Sequence, residues 1–361
     1  MHALRGKVAM YFEAKLDEHG LMSATNDILI KPFARERSPW EILIFHGADS
    51  KACRSKKQSL VVFRYHHALS DGYSITKLMA NVTTGDYFIS PLVEQDHAGW
   101  KRFLEFLLFP FTGMFVIVAY LQHYIDNNIW SYKVNFRAKK IRDMTYFCSD
   151  TISIDKIKQL KNKLGCSFNG IVLAAIAGGI RRHFVTHENH VPPHMHVGLS
   201  FPVPGHPAQT LTNHWTAAFI RLPIGLSSSL KRLDEIQKQF KKVETMIISK
   251  MPFTGALYGG AFFKDWISFI LRNLLKGSTC SMSIFPGPEN LQFLTGEKIT
   301  SGGFLLGPLA NQGVSITVVS YNGGLRVFFG AEKSVVCPED AKQVVSFISN
   351  EFDNFLSLKI A

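Results

Sequence analysis

Cysteine is scarce in this chain, and the spacing of the cysteines bears on whether they form disulfides. The 361 residues include five cysteines, and no two of them form a Cys-x-x-Cys pair. An odd and scattered set favours reduced thiols on the cytosolic side of a cell over a framework of disulfides. The five are Cys53, Cys148, Cys166, Cys280 and Cys337.

Charge, repeats and targeting signals are also sparse or missing. Charged residues make up 19% of the chain and hydrophobic residues 46%, which excludes general disorder and allows sizeable cores. A chain of this length is expected to form about two compact domains. Residues 1–7 lack the apolar core of a secretory signal. No internal repeat or low-complexity tract occurs, and the lack of a Gly-x-Ser-x-Gly motif disfavours a serine hydrolase.

The charge that is present is strongly unbalanced. The formal net charge is +12, which favours phosphate-rich ligands or an anionic membrane surface as partners. Nucleic acid is the competing partner, but no zinc spacing, recognition-helix signal or stacked-aromatic motif accompanies the charge, so we expect no nucleic acid. The 29 phenylalanines fit a protein that handles lipid better than one that handles DNA.

The stretch from Phe63 to Gly72 carries the clearest chemical signal. β-Branched and aromatic residues at alternate positions predict a strand over 59–67, with His67 at its end. Ser-Asp-Gly follows at once and predicts a turn that holds the imidazole at a rim, where Asp71 can hydrogen-bond nearby backbone or a cation. A histidine fixed there suits general base catalysis, whereas an isolated His-His pair is usually an ordinary half-buried pair beside a turn.

Four residues in fixed register, His66, His67, Asp71 and Gly72, form a His-His-x-x-x-Asp-Gly motif. It resembles the active-site motif of the CoA-dependent acyltransferase superfamily. Other stretches, from about residue 25 to the C-terminus, resemble its wax ester synthase/diacylglycerol acyltransferase branch. They are Ser38-Pro39-Trp40-Glu41 without the branch's leucine, the helix start at 167–175 with Gly170 in place of an aspartate, Asn213, Leu222-Pro223, Ser283-Ile284-Phe285-Pro286-Gly287-Pro288 and Ser320-Tyr321-Asn322-Gly323.

This resemblance implies an α+β fold of two chloramphenicol-acetyltransferase-like halves with a central channel, here 1–145 and 146–361. The N-terminal half is expected to be shortened, because members of the branch carry more chain before their Pro-Leu-Trp stretch. The implied activity is O-acyl transfer from a long-chain acyl-CoA to a fatty alcohol or a diacylglycerol, which makes a wax ester or a triacylglycerol. His67 would be the general base, supported by His66, Asp71 and Gly72. A direct ternary mechanism needs no covalent intermediate, no metal and no bound cofactor.

Three further groups of residues have two interpretations each. Asn213 and Ser283 are either polar contacts near the reacting centre or hydrogen bonds that hold a loop. His187, His190, His194 and His196 suggest a metal site, but two prolines lie between them and no acidic or cysteine partner keeps ligand spacing, so a polar loop is favoured. The helix predicted at 230–248 carries basic residues that form a solvated face or contact a coenzyme A phosphate: Lys231, Arg232, Lys238, Lys241 and Lys242.

An apolar segment at 103–125 is expected to associate with a membrane. Its central residues, 106–121, carry no charge and are flanked by basic residues on both sides. This is short of the roughly 20 residues that a spanning helix needs, and Pro110 with Gly113 would bend it. Shallow insertion as an interfacial hairpin is therefore favoured over a buried core helix or a true span. We expect a membrane-associated protein, at the endoplasmic reticulum or plasma membrane, with its site on the cytosolic side.

Periodicity predicts most of the remaining elements. We expect strands at 40–45, 197–202 and 215–222, and a hairpin around Asn322-Gly323-Gly324. Helices are predicted at 73–82, 152–164 with Gly165 as its cap, 168–184 buried on nearly all sides, 230–248, and from Pro338 onwards.

Three functions from different classes remain open on the sequence. The first is the O-acyltransferase. The second is a catalytically inactive, membrane-associated lipid-binding relative, which the shortened N-terminus, the missing leucine beside Pro39 and the glycine at 170 favour. The third is a carrier-linked condensation enzyme, which is disfavoured because such enzymes normally form one module of a longer assembly.

Overall fold

The fold was analysed in a computed structural model, which describes residues 9–13, 27–29, 31–48, 58–86, 107, 130, 142–188, 190–203, 206–207, 210–248, 278–307 and 312–358. Within these residues the chain is a mixture of helices and strands. The strands are β1 (Ala9–Glu13), β2 (Trp40–Ala48), β3 (Gln58–Tyr65), β4 (Thr83–Asp86), β5 (Met144–Cys148), β6 (Ile152–Ser153), β7 (Met195–Pro202), β8 (Trp215–Leu222), β9 (Cys280–Phe285), β10 (Glu289–Phe293), β11 (Val314–Tyr321) and β12 (Gly324–Glu332). The helices are α1 (Gly72–Ala80), α2 (Ile154–Leu164), α3 (Phe168–His187), α4 (Ser229–Ile248) and α5 (Pro338–Leu356).

These strands form three sheets. A small N-terminal sheet has the order β1-β2-β3, with β1 parallel and β3 antiparallel to β2. A larger C-terminal sheet has the order β5-β12-β11-β9-β7-β8, and β6 pairs with β12 beside this path. The third sheet joins β4 to β10, so a strand from late in the chain pairs with one that follows the His-His motif. This pairing connects the two parts of the chain.

Local sequence signals explain the hairpin between β11 and β12. Asn322 and Gly323 both have positive φ angles, 47° and 71°, as a two-residue turn of the primed type requires. The register runs without a shift from Tyr321↔Gly324 to Val314↔Ala331. The predicted hairpin is confirmed.

The cap that ends α2 is the predicted one, but the start of α2 and the end of α3 differ from the prediction. Helix α3 ends at His187, three residues beyond the predicted Phe184. Ser153 caps the start of α2 by accepting a hydrogen bond from the backbone of Lys156, and Gly165 ends it in the left-handed region at φ 60°. The helix begins at Ile154, not at Ile152, because 152–153 pair with Leu325 and Gly324 of β12. Ile152 and Ser153, which the apolar spacing assigned to the helix, therefore belong to the sheet.

The core lies between the C-terminal sheet and a layer of helices. Residues 170–180 of α3 are all buried, as expected for a helix that is apolar on nearly every side. Arg232 on α4 joins three helices: its Nε donates to the carbonyl of Ala174 at 3.1 Å, and its Nη2 lies 2.5 Å from Glu351 on α5. The guanidinium is buried, so its charge is matched by a carboxylate and by main-chain carbonyls.

Close contact between α3 and α5 depends on a glycine. A Cβ atom on Gly179 would lie 2.6 Å from the backbone nitrogen of Ile348. We expect Gly179→Ala to lower the free energy of unfolding by about 1–3 kcal/mol, because the clash exceeds the helix-propensity gain of about 1 kcal/mol. The shift of the denaturant midpoint measures this. Gly302→Ala is the matched control, since nothing lies within 4 Å of its added Cβ; equal midpoints for the two variants would contradict the prediction.

The predicted boundary after residue 145 falls inside β5, which pairs with β12 in the larger sheet. The apolar segment at 103–125 lies outside the described residues, except for an exposed Leu107. Among the residues that are described, no single helix is long and apolar enough to cross a membrane, and α2 with α3 meets that test only as a pair bent by 106°.

Candidate active site

The His-His motif lies in a turn that follows β3. The strand ends at Tyr65, two residues before the predicted end, because the backbone of His66 bonds to the carbonyl of Pro39 at 2.8 Å and Leu69 donates back to His66 at 2.9 Å. Both histidines therefore lie in the turn and not in the strand. His67 is exposed, so a substrate can reach its ring.

Asn213 selects the tautomer of His67. The Nδ2 amide of Asn213 donates to the main-chain carbonyl of His67 at 2.8 Å, and its Oδ1 accepts from the indole N–H of Trp215 at 3.3 Å. An indole only donates and a carbonyl only accepts, so these two bonds orient the amide. Oδ1 therefore faces Nδ1 of His67, at 2.9 Å, and Nδ1 must carry the proton. The lone pair of the neutral ring is left on Nε2, as a general base requires.

His66 is held differently and has a supporting position. Its Nδ1 accepts a hydrogen bond from the backbone of Ala68 at 3.1 Å, within the same turn. Its ring meets that of Phe33 edge to face, with centroids 6.4 Å apart. The two neighbouring histidines thus have opposite tautomers, and His66 uses its lone pair to shape the turn.

Asp71 ties the motif to a distant segment of the chain. Its carboxylate caps α1 by accepting from the backbone of Ser74 at 2.9 Å, and it also accepts from the backbone of His214 at 2.8 Å. The imidazole of His206 lies 3.0 Å from the same carboxylate. Asp71 is buried and fixes the turn as predicted, but it acts through the backbone and does not touch the ring of His67 in the contacts described.

The same segment makes further bonds to the start of α1. The backbone of Asp71 donates to the carbonyl of Thr212 at 2.9 Å, and the hydroxyl of Ser74 lies 3.3 Å from that carbonyl. The ring of Tyr73 packs on that of His206, with centroids 4.4 Å apart. His206 and Thr212 are therefore anchored to the motif, which brings Asn213 and Trp215 to His67.

Phe285 lies close to Gly72, and Ser283 lies on the same strand as Phe285. A Cβ on Gly72 would lie 3.6 Å from the ring of Phe285, which is ordinary contact, so space alone does not require glycine there. Ser283 is half-buried on β9, opposite Thr317 of β11, and two residues before Phe285 on the same face of the strand. Ser283 therefore shares a strand face with Phe285, and no contact between Ser283 and the motif occurs among the described residues. Asn213 is the residue that the structure brings to His67.

Tyr65 does not compete with His67 as a base. Burial, and then the nearby charge of Asp71, raise the pKa of Tyr65 to about 12. Its phenol is therefore protonated throughout the physiological range, and it stacks on Phe63 with ring centroids 5.5 Å apart.

The sequence did not assign a site role to three residues, Trp215, His206 and Phe285, although Phe285 lies in the 283–288 motif. Trp215 lies edge to face with His67, with centroids 5.7 Å apart, while His206 and Phe285 complete the surroundings of Asp71 and Gly72. Each belongs to a segment more than 100 residues from the motif by its number in the chain. Spacing within a single stretch could not have found them.

The structure separates the four histidines that suggested a metal site. His187 ends α3, His190 and His194 are exposed beyond it, and His196 is buried in β7. The favoured interpretation of a polar loop fits His190 and His194 alone.

The basic helix is only partly a solvated face. On α4, Lys238 is exposed and pairs with Asp234 at 2.7 Å, as expected for a solvated face. Arg232 was wrongly placed in that set, because its guanidinium is buried against Glu351.

One protein family matches the C-terminal part of the chain. Residues 211–355 match the model of the WS/DGAT C-terminal domain. These residues, less than half of the chain, are similar to the C-terminal domain of the wax ester synthase/diacylglycerol acyltransferase family. The match covers Asn213, Trp215, β9 and the β11–β12 hairpin, which form the C-terminal side of the site.

Two relatives from strains of Mycobacterium tuberculosis, named as candidate diacylglycerol O-acyltransferases, are 27% identical over 218 residues. The alignment covers 55% of this chain and 40% of each relative, so the chain matches less than half the length of these proteins.

Solved structures confirm the α+β fold. The wax ester synthase/diacylglycerol acyltransferase from Marinobacter aquaeolei superposes with a TM-score of 0.62 at 14% identity, and the match covers 98% of this chain and 80% of that one. The EpoB NRPS cyclization-docking bidomain from Sorangium cellulosum has a TM-score of 0.54 at 10% identity, covering 96% and 70%. At these identities the likeness concerns the fold, and a shortened N-terminal half stays a prediction.

The contacts of Asn213 position the ring of His67, and this role can be tested. We expect Asn213→Ala to lower kcat by about 10²-fold with a smaller change in KM, because the imidazole loses its orientation. Asn213→Asp keeps an acceptor for the Nδ1 proton and adds a charge that stabilises the imidazolium. The acid limb of its pH–rate profile should therefore move to higher pH.

The matched control is Asn354→Ala, at an exposed position on α5. It should leave both kcat and the pH profile unchanged. A residue that only holds a loop would not move the profile, so an unshifted acid limb in Asn213→Asp would argue against the positioning role.

Proposed function

We propose that this protein transfers a long-chain acyl group from acyl-CoA to the hydroxyl of a fatty alcohol or a diacylglycerol. The observation that carries the proposal is the pairing of His67 with Asn213, which leaves Nε2 unprotonated at an exposed position where two distant parts of the chain meet. The match of residues 211–355 to the WS/DGAT C-terminal domain supports this donor and these acceptors. It favours them over a carrier-linked condensation.

In this mechanism Nε2 of His67 removes the proton from the acceptor hydroxyl as its oxygen attacks the thioester carbonyl. A C–O bond forms and the C–S bond breaks, and the imidazolium returns the proton to the leaving thiolate. The Nδ1–H bond to Asn213 persists throughout, so the ring keeps its orientation in both protonation states. Asp71, His66 and His206 hold the turn and take no part in proton transfer.

We also propose that the protein works at a membrane surface. Both acceptors dissolve in lipid, and the uncharged residues at 106–121 have basic flanks that suit anionic head groups. An interfacial location would let the acceptor enter the site from the side.

The direct test is acyl transfer by membranes that contain the full chain. Labelled palmitoyl-CoA is the donor, and hexadecanol and dioleoylglycerol are offered separately. We expect labelled wax ester or triacylglycerol, above the level of membranes without the protein, and the preferred acceptor identifies the product. A folded, membrane-bound chain that forms neither product would contradict the proposal and favour the inactive lipid-binding relative.

A further inference from the structure

A cluster of metal-ligating side chains lies where the end of α3 meets the start of α5. His183 and His187 are four residues apart and so lie on the same face of α3. Asp340 lies in the first turn of α5. One potential ligand atom from each of these three side chains lies within 4.8 Å of the other two.

His183 is an unusual residue for this position. Its side chain is 2% exposed, and its buried Nδ1 has no hydrogen-bond partner among the described residues. A buried polar atom without a partner costs about 1–3 kcal/mol, so such atoms are rare unless an ion or water binds them. A cation shared with His187 and Asp340 would satisfy the imidazole.

Packing holds the imidazole of His183 in place, and the exposed His187 lies against it. Their rings stack with centroids 4.9 Å apart and planes 27° from parallel. Trp130 packs on His183 at 5.4 Å, and Nε2 of His187 meets the side-chain oxygen of Gln343. Gln343 thus brings one more oxygen to the cluster, from the turn of α5 that follows Asp340.

The chemistry of this donor set selects the kind of cation. Two imidazole nitrogens with a carboxylate suit zinc, whereas calcium and magnesium prefer ligands that are all oxygen. Ligand atoms about 3.3 Å apart surround a tetrahedral zinc with bonds of about 2.0–2.1 Å, so the side chains need to close by at most about 1.5 Å. Rotation of the exposed His187 can supply this closure.

We propose that His183, His187 and Asp340 bind a zinc ion, with Gln343 beside it, and that the ion joins the C-terminal end of α3 to the N-terminal end of α5. None of these residues is among those described as contacting His67, so the site is structural and separate from acyl transfer. The histidines at 190 and 194, which first suggested a metal, take no part in it.

The experiment uses the full chain without a histidine tag, stripped of metal by a chelator that is then removed. Titration with cobalt(II), a spectroscopic substitute for zinc, should give the visible absorption of a tetrahedral site at one equivalent. Zinc should then displace the cobalt. We expect His187→Gln and Asp340→Asn each to weaken binding by at least tenfold, since even outer-shell changes cost about 10–100-fold.

The controls separate this site from other sources of binding. His190→Gln, at an exposed histidine three residues beyond His187, should bind cobalt as the unaltered protein does. Cys337→Ser should also leave the spectrum unchanged, although this exposed thiol lies at the cap of α5. The proposal is wrong if no visible band forms, if His187→Gln and Asp340→Asn bind cobalt normally, or if Cys337→Ser abolishes the band. Far-ultraviolet circular dichroism must show that each variant is folded.

Discussion

Replacing His67 by alanine is expected to reduce acyl transfer by about 10²–10⁴-fold, the usual contribution of a general base. The variant loses the imidazole whose Nδ1 is held by Asn213 and whose Nε2 is left unprotonated. The neighbouring Tyr65 cannot replace it, because its pKa is raised to about 12. The measurement is the initial rate of ester formation from labelled palmitoyl-CoA at saturating acceptor. The remaining rate reports how much of the catalysis comes from holding the two substrates together.

His66→Ala is the matched control for this prediction. The two histidines are adjacent and both exposed, yet His66 has its Nδ1 engaged with the backbone of Ala68. We expect a much smaller loss of activity than for His67→Ala, together with a small loss of thermal stability. Equal losses in the two variants, or full activity in His67→Ala, would remove His67 from the role of base.

Asp71→Ala has the largest expected effect on stability. The substitution removes a helix cap, worth about 1 kcal/mol, and leaves the backbone of His214 and the ring of His206 without their buried acceptor. Each buried donor left without an acceptor costs about 1–3 kcal/mol, so together with the lost cap we expect a total loss of about 3–5 kcal/mol. The melting temperature and the denaturant midpoint of the full chain measure this loss.

Two further variants make the Asp71 prediction specific. Asp71→Asn keeps an oxygen for the cap but loses the charge opposite His206, so its stability should lie between those of the wild type and Asp71→Ala. Asp150→Ala removes a carboxylate from an exposed position and should change the midpoint little. If Asp71→Ala melts like Asp150→Ala, the contacts to 206–214 do not stabilise the motif. Activity should fall with Asp71→Ala as well, because those contacts bring Asn213 to the base.

Much of the fold follows from short-range signals. Asn322-Gly323 specifies a primed turn because both residues tolerate positive φ, and Gly165 ends α2 for the same reason. The apolar spacing of α2 and α3 places these helices to within a few residues. Where the prediction differed, at 152–153 and at the end of β3, a hydrogen bond from another segment had replaced the local preference.

The sequence by itself determined the motif and its turn, because His66, His67 and Asp71 lie within a few residues of one another and are constrained by local backbone geometry. It also predicted His67 as the base. Motifs that are continuous in the chain also predicted the resemblance to the wax ester synthase/diacylglycerol acyltransferase family, which the match over 211–355 supports. Only the tertiary structure decided that Asn213 orients His67, that His206 pairs with Asp71, and that Asp340 meets His183 and His187. Asn213 and His67 are 146 residues apart, and His206 and Asp71 are 135 apart. Contacts at such separations are created by the packing of whole sheets and helices, so they leave no periodicity or spacing for a sequence to display.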